Sequence, residues 1–152
     1  DFKQKTVQIG YLARTANLLG IKTPKIACIA PSEQLLPNVV SSTEGALLAK
    51  MADRGQLGDV VVDGPLSLDV ALYKEVAEHK KVRGSSVAGD PDCLLFPNLE
   101  SANVFFKSVS HLCGGELAAM VMGTKVPCVL TSRGDTSKTK LYSIALACLA
   151  AR

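Results

Sequence analysis

The sequence contains no tryptophan, few phenylalanines and tyrosines, and no block of like charge. With so few aromatic side chains to stack bases on, a platform for single-stranded nucleic acid is not expected. A net charge of +3 spread over 152 residues, with no basic tail, argues against any nucleic-acid partner. No uninterrupted apolar run is long enough to cross a bilayer, and the opening DFKQKTVQ lacks the basic-then-apolar order of a secretory leader, so no membrane partner and a cytoplasmic location are expected. The five cysteines (Cys28, Cys93, Cys113, Cys128 and Cys148) are odd in number, widely spaced and never in a Cys-x-x-Cys pair. Each lies in an apolar stretch, so buried thiols are expected in preference to disulfides or metal ligands. Neither His79 nor His111 anchors a recognisable metal motif. The G-x-G-x-x-G fingerprint of a dinucleotide site is missing too.

What is present is a chain with 47% apolar and 20% charged residues, the balance of a globular domain. Its length suits one domain that buries roughly 70% of the surface its unfolded chain would expose. The first residue is not methionine, and helical rhythm begins at once, which suggests that the chain starts within a longer protein.

Taken in order, residues 3–19 place Ile9, Leu12, Ala13, Ala16 and Leu19 on one helical face, with Gly20 free to take a left-handed cap. Residues 25–30 (KIACIA) predict a strand closed by Pro31. A second helix is predicted from Ser42 to Arg54, with Leu47, Leu48 and Met51 inward and Gly55 behind it. Residues 59–62 (DVVV) read as a strand buried on both faces, as in a parallel sheet covered by helices. The polar stretch 63–69 then reads as a turn opening a third helix to about Lys80, with Leu68, Leu72, Val76 and His79 inward. Ser67 suits its cap and Asp69 its dipole. Residues 83–92 read as a loop, 93–96 as a strand closed by Pro97-Asn98, and the residues from Leu99 to about 113 as a fourth helix broken by Gly114-Gly115. Residues 117–122 and 126–130 read as two further strands joined by Gly123-Thr124-Lys125, a link short enough for one antiparallel pair. This alternation predicts a layered α/β fold with a mostly parallel sheet and helices on both faces.

The last strand feeds the polar turn Ser132-Arg133-Gly134-Asp135 and a helix with Leu141, Ile144, Ala145 and Cys148 on one face. The amides and dipole at such a helix start favour an anion, and Ser132 and Arg133 add a hydroxyl and a permanent cation there. The same residues equally suit a plain capped helix start with one solvated arginine.

Three motifs in order, VVDGPLSLDVA (61–71), VAGDPDCLLFPNLESANVFFK (87–107) and VPCVLTSRGDTSKTKLYSIALA (126–147), closely resemble the carboxyl-terminal half of the phosphate acetyl- and butyryltransferases. The final stretch is most similar to the butyryltransferase branch. The resemblance implies an enzyme that transfers an acyl group, butyryl or a similar short chain, between coenzyme A and inorganic phosphate. It implies a fold similar to one domain of the isocitrate and isopropylmalate dehydrogenases, and coenzyme A as substrate with no cofactor or metal; apolar surface left exposed by a missing half would favour a homodimer or higher homo-oligomer. It further implies that residues 1–152 are a carboxyl-terminal domain lacking an amino-terminal half, so that this chain alone would bind anions weakly and turn over poorly.

By the same resemblance Ser132 and Arg133 fall on positions that touch the reacting phosphate or acyl group. The chain departs from the acetyltransferase pattern at Thr139, where an aspartate is proposed to take the thiol proton, and at His111, where that branch has arginine; it also has Ala102 where glycine is expected. Asp135 lies near enough to replace the missing aspartate, although a helix N-cap explains it as well. Asp63, Gly64, Pro65, Asn98, Asn103 and His111 are the further substrate-binding candidates. The alternative is a non-catalytic binding or dimerisation module of the same descent. A dehydrogenase-like fold acting on another phosphorylated or carboxylated ligand is the weaker third reading.

Overall fold

The computed structural model describes residues 1–151. They form two units, Asp1–Leu99 and Glu100–Arg152. The first contains α1 (Phe2–Leu18), β1 (Lys25–Ile29), α2 (Val40–Asp53), β2 (Val61–Leu66), α3 (Leu68–Leu72), α4 (Lys74–His79) and β3 (Cys93–Leu95). The strands make one parallel sheet in the order β2-β1-β3.

The central strand β1 explains why both faces are dry. Its side chains alternate, so Ile26 and Cys28 join Ile9 of α1, Leu48 of α2, Val62 and Leu95 in one apolar cluster. Ala27 and Ile29 point the other way, into a cluster with Leu66, Val70 and Ala71 of α3, Ala77 of α4 and Val87. A capping box between Asp1 and Gln4 starts α1, and Gly20, with φ +93°, lets the chain turn away behind it. Leu19, expected inward, is exposed, as are Leu47 of α2 and Leu72 of α3. In α2 the inward positions beside Leu48 are instead the small Ser42 and Gly45, which let the helix lie close to the sheet.

Two expectations fail in this unit. The predicted turn at 63–69 is not a turn at its start: β2 continues through Asp63, Gly64 and Pro65 to Leu66. Its register against β1 shifts between Ala27 and Ile29, so the sequence Asp63-Gly64-Pro65-Leu66 bulges there. A side chain on Gly64 would put its Cβ 2.6 Å from the Cβ of Cys28, so glycine is required by the approach of the two strands. Gly64→Ala is therefore expected to destabilise the fold by about 1–3 kcal/mol, seen as a lower urea midpoint at unchanged slope. An unchanged midpoint would show that the strands do not meet there. The predicted third helix is also broken, at Tyr73 (φ −121°, ψ 115°), into α3 and α4. Its buried residues are Val70, Ala71 and Ala77; Leu68 and Val76, expected inward, pack half-buried against the same cluster, while Leu72 and His79 are exposed.

The loop at 83–92 is a tied connection. Val87 is fully buried, the Gly89 amide donates to Ala71 O at 3.0 Å, and Lys25 pairs with Asp90 at 2.6 Å. Lys25 also donates its backbone N–H to the Asp92 carboxylate at 2.8 Å.

The second unit holds α5 (Leu99–His111) and α6 (Ser137–Ala150). The strands expected at 117–122 and 126–130 do not form; the two segments meet only at an isolated antiparallel bridge, Val121 with Cys128. Strand composition needs a neighbouring strand to become a strand, and within this unit each segment finds only that bridge among the described residues. The predicted apolar face of α6 is outward: Leu141, Ile144, Ala145 and Cys148 are all exposed. Its buried residue is Ser143, whose hydroxyl accepts from Ala119 N–H at 3.0 Å and donates to Thr139 O at 2.7 Å.

All five cysteines are free thiols, but only Cys28 is buried, and Cys113 and Cys148 are exposed. Burial, assisted by the Asp63 carboxylate, pushes the Cys28 thiol up to about 12, so it is a neutral core residue.

Candidate functional site

In the first unit, the carboxyl ends of the strands carry two polar groups of side chains. Lys5 of α1 and Glu44 of α2 form an ion pair beside Cys28. The cavity they line with Phe96 is only about 10 Å³, room for one water at most. At the end of β2, Lys80 Nζ lies 3.0 Å from Asp69 and 3.6 Å from Glu33, and the buried Ser67 hydroxyl oxygen lies 3.3 Å from the Glu33 carboxylate.

The Ser67 hydroxyl, followed by Lys80, holds the Asp69 carboxyl down from 3.8 to about 2. A carboxylate depressed in this way stabilises the fold above its unfolded value and loses that contribution as pH falls through the folded one. Asp69→Asn is thus expected to lower the denaturation midpoint at pH 6, with the difference from wild type closing between about pH 4 and pH 2. A difference that persists at pH 2 would show that the loss is one of packing.

In the second unit the turn before α6 is built by Asp135. Its Oδ2 accepts the Ser132 N–H at 2.8 Å, and its own N–H donates to Ser132 O at 3.1 Å. The helix N-cap is therefore the next residue, Thr136, whose hydroxyl accepts from Thr139 N–H at 3.1 Å. Held from behind, Ser132, Arg133 and Gly134 face solvent. Among the described residues Arg133 has no ionic or hydrogen-bond partner, so its guanidinium is available to an anion.

Beside the turn is a cleft of about 310 Å³, lined among others by His111, Gly115, Glu116, Asp135 and Thr139. That is the lower end of the range for small-molecule sites. Glu116 is engaged by Lys138 and by the Tyr142 hydroxyl at 3.0 Å, and both contacts hold its carboxyl below the usual range. The sequence of 100–152 carries six basic and three acidic side chains against eleven of each in 1–99, so the net positive charge of the chain belongs to this unit.

The expected site residues thus fall into separate groups. Asp135 and His111 line the cleft together with Thr139, and Ser132 and Arg133 occupy the adjoining turn. Asn103 is exposed on α5 in the same unit. Asp63, Gly64 and Pro65 lie within β2, and Asn98 precedes α5, all in the first unit. Sequence reasoning missed Lys107 and the trio of Glu116, Lys138 and Tyr142. Lys138 and Tyr142 are one turn apart on α6, but nothing in the pattern joins them to Glu116. Among the described residues no group of three His, Cys, Asp or Glu is arranged to hold a metal ion.

Residues 5–148 match the family model for phosphate acetyl/butaryl transferase. The chain belongs to this family. It is 43% identical over 151 residues to the phosphate butyryltransferase of Clostridium acetobutylicum, covering 99% of this chain and 50% of that protein. It is 42% identical over 144 residues to the phosphate acetyltransferase of Thermotoga maritima, covering 95% of this chain and 49% of that one. Among solved structures, a branched-chain phosphotransacylase from Enterococcus faecalis superposes with a TM-score of 0.82 at 32% identity, over 92% of this chain and 50% of its own. The chain spans about half the length of the curated relatives it matches. The matched span takes in α1 to most of α6, including the turn at 132–135 and the cleft beside it.

Proposed function

We propose that the protein to which this chain belongs transfers a short acyl group, such as butyryl, between coenzyme A and inorganic phosphate. The observation that carries the reading is the Ser132-Arg133 turn: an outward hydroxyl and a guanidinium unpaired among the described residues, at the start of α6, inside a span matched by phosphate butyryl- and acetyltransferases.

In the direction of thioester formation, the coenzyme A sulfur attacks the carbonyl carbon of an acyl phosphate. The new C–S bond replaces the C–O bond to phosphate, which leaves with the bonding electron pair, and the thiol proton passes to a base. Charge grows on the carbonyl oxygen and on the departing phosphate, so a fixed cation and hydroxyl stabilise the transition state more than the reactants. The guanidinium fork suits phosphate because it binds two oxygens at once. His111, Asn98 and Asn103 are assigned to substrate contacts, and no covalent enzyme intermediate is required.

This reading includes the finer architecture, one domain of the isocitrate and isopropylmalate dehydrogenase type and the carboxyl-terminal half of the enzyme, acting in the cytoplasm. It also includes assembly into a homodimer or larger homo-oligomer. Leu112, Val126, Leu130, Leu141 and Ile144 expose apolar surface in one unit, which supports association. The test is product formation. Butyryl-CoA and phosphate should yield free coenzyme A and an acyl phosphate that hydroxylamine traps as a hydroxamate. Thiol release without phosphate, or without a trappable product, would indicate thioester hydrolysis instead.

A further inference from the structure

We infer that Lys107 and Asp135 are positioning residues that hold the Ser132-Arg133 turn in the geometry transfer requires; the inference rests on the acyl-transfer reading and assigns Asp135 a role other than proton acceptor. The Asp135 side chain is only 9% exposed, and each of its oxygens is committed. Oδ2 accepts the Ser132 N–H at 2.8 Å, while Oδ1 faces the Lys107 ammonium at 3.7 Å. Lys107 comes from α5, where its ammonium also lies 5.2 Å from the Phe106 ring centroid, so the cation is anchored on the helix that supports the turn.

The arrangement has a direction. Lys107 fixes the carboxylate, the carboxylate fixes the Ser132 amide, and the Ser132 hydroxyl and Arg133 guanidinium are presented outward. A base has to reach the proton it removes, and this carboxylate has one oxygen held by an amide and the other facing an ammonium. Its value to the reaction is orientation, where an error of about 1 Å costs on the order of 10²-fold.

The test uses the protein expressed from its complete reading frame. Asp135→Asn keeps an oxygen for the Ser132 N–H, and its kcat should stay within about tenfold of wild type. Asp135→Ala should lose about 10²-fold in kcat, with the phosphate KM changed less than about threefold. Lys107→Met should cost up to about tenfold in the wild-type background and nothing further beside Asp135→Asn, and Lys107→Arg should restore activity. If Asp135→Asn falls as far as Asp135→Ala and the acidic limb of the pH–rate profile disappears, the carboxylate is the proton acceptor and the positioning role is overturned.

Exchange of the Ser132 amide hydrogen gives a readout independent of turnover. It should quicken by about tenfold or more in Asp135→Ala and much less in Asp135→Asn. Unchanged exchange in Asp135→Ala also overturns the inference. If the wild-type protein releases no coenzyme A in response to phosphate, the acyl-transfer reading fails by itself, and amide exchange still decides whether Asp135 holds the turn.

Discussion

Arg133→Ala is expected to lower kcat/KM for transfer from acyl-CoA to phosphate by about 10²–10³-fold, the loss typical of removing one fixed donor to a developing anion. The basis is its position: exposed in the turn before α6, unpaired among the described residues, in the unit that carries the net positive charge. Because negative charge grows on the carbonyl oxygen as the bound phosphate attacks, kcat should fall along with affinity for phosphate. Lys at this position should recover only part of the loss, since an ammonium offers a point charge where the guanidinium offers a planar fork. A full recovery by Lys would show that net charge is all the turn supplies. The assay is thiol release at varied phosphate; circular dichroism should be unchanged, because Arg133 is exposed.

Leu48→Ala is expected to cost about 2–5 kcal/mol in folding stability, the range for emptying a well-packed aliphatic site. Leu48 is 1% exposed and sits between α2 and the sheet, in the cluster with Ile9, Ile26 and Val62. Two neighbours limit how far the site can collapse. Gly45 already brings α2 to within 3.3 Å of the Pro65 backbone for any added Cβ, and the Lys5–Glu44 ion pair fixes α2 against α1. With a marginal total stability, such a loss should appear as a much lower urea midpoint and a visible unfolded fraction at moderate temperature. Leu47→Ala, one residue earlier and half exposed, should stay within about 0.5 kcal/mol. Equal losses at the two positions would mean that α2 is oriented differently on the sheet.

Helices and strands with a strong local pattern were legible in the sequence. The apolar rhythm of α1 and the run KIACIA appear close to where the structure places Phe2–Leu18 and Lys25–Ile29. The fate of 63–69 was not legible, because Asp, Gly and Pro signal a turn. Here the missing Cβ of Gly64 serves a close strand contact, which depends on Cys28 in another element. The break at Tyr73 likewise has no Gly or Pro to announce it. Residues 117–122 and 126–130 carry β-prone composition, yet a strand is a property of a pair, and among the described residues they find only one bridge. The setting of α6's apolar stripe was not legible for a related reason: periodicity locates the stripe but does not say what it meets, and Ser143 is the residue turned inward.

The site was legible where it is contiguous. The string SRGD presents its hydroxyl and guanidinium in one turn, and it lies within the span that matches the family. The long-range contacts were not, since Lys107 and Asp135, and Lys138 and Glu116, are far apart in sequence and only the folded chain brings them together.

The central claim, that the turn before α6 receives phosphate, is tested most directly by titrating inorganic phosphate into isotope-labelled protein while following the backbone amides. Saturable shifts at Ser132, Arg133 and Gly134, lost in Arg133→Ala, are the predicted result. Shifts that spare this turn, or that gather instead around Ser67 and Lys80, would contradict it.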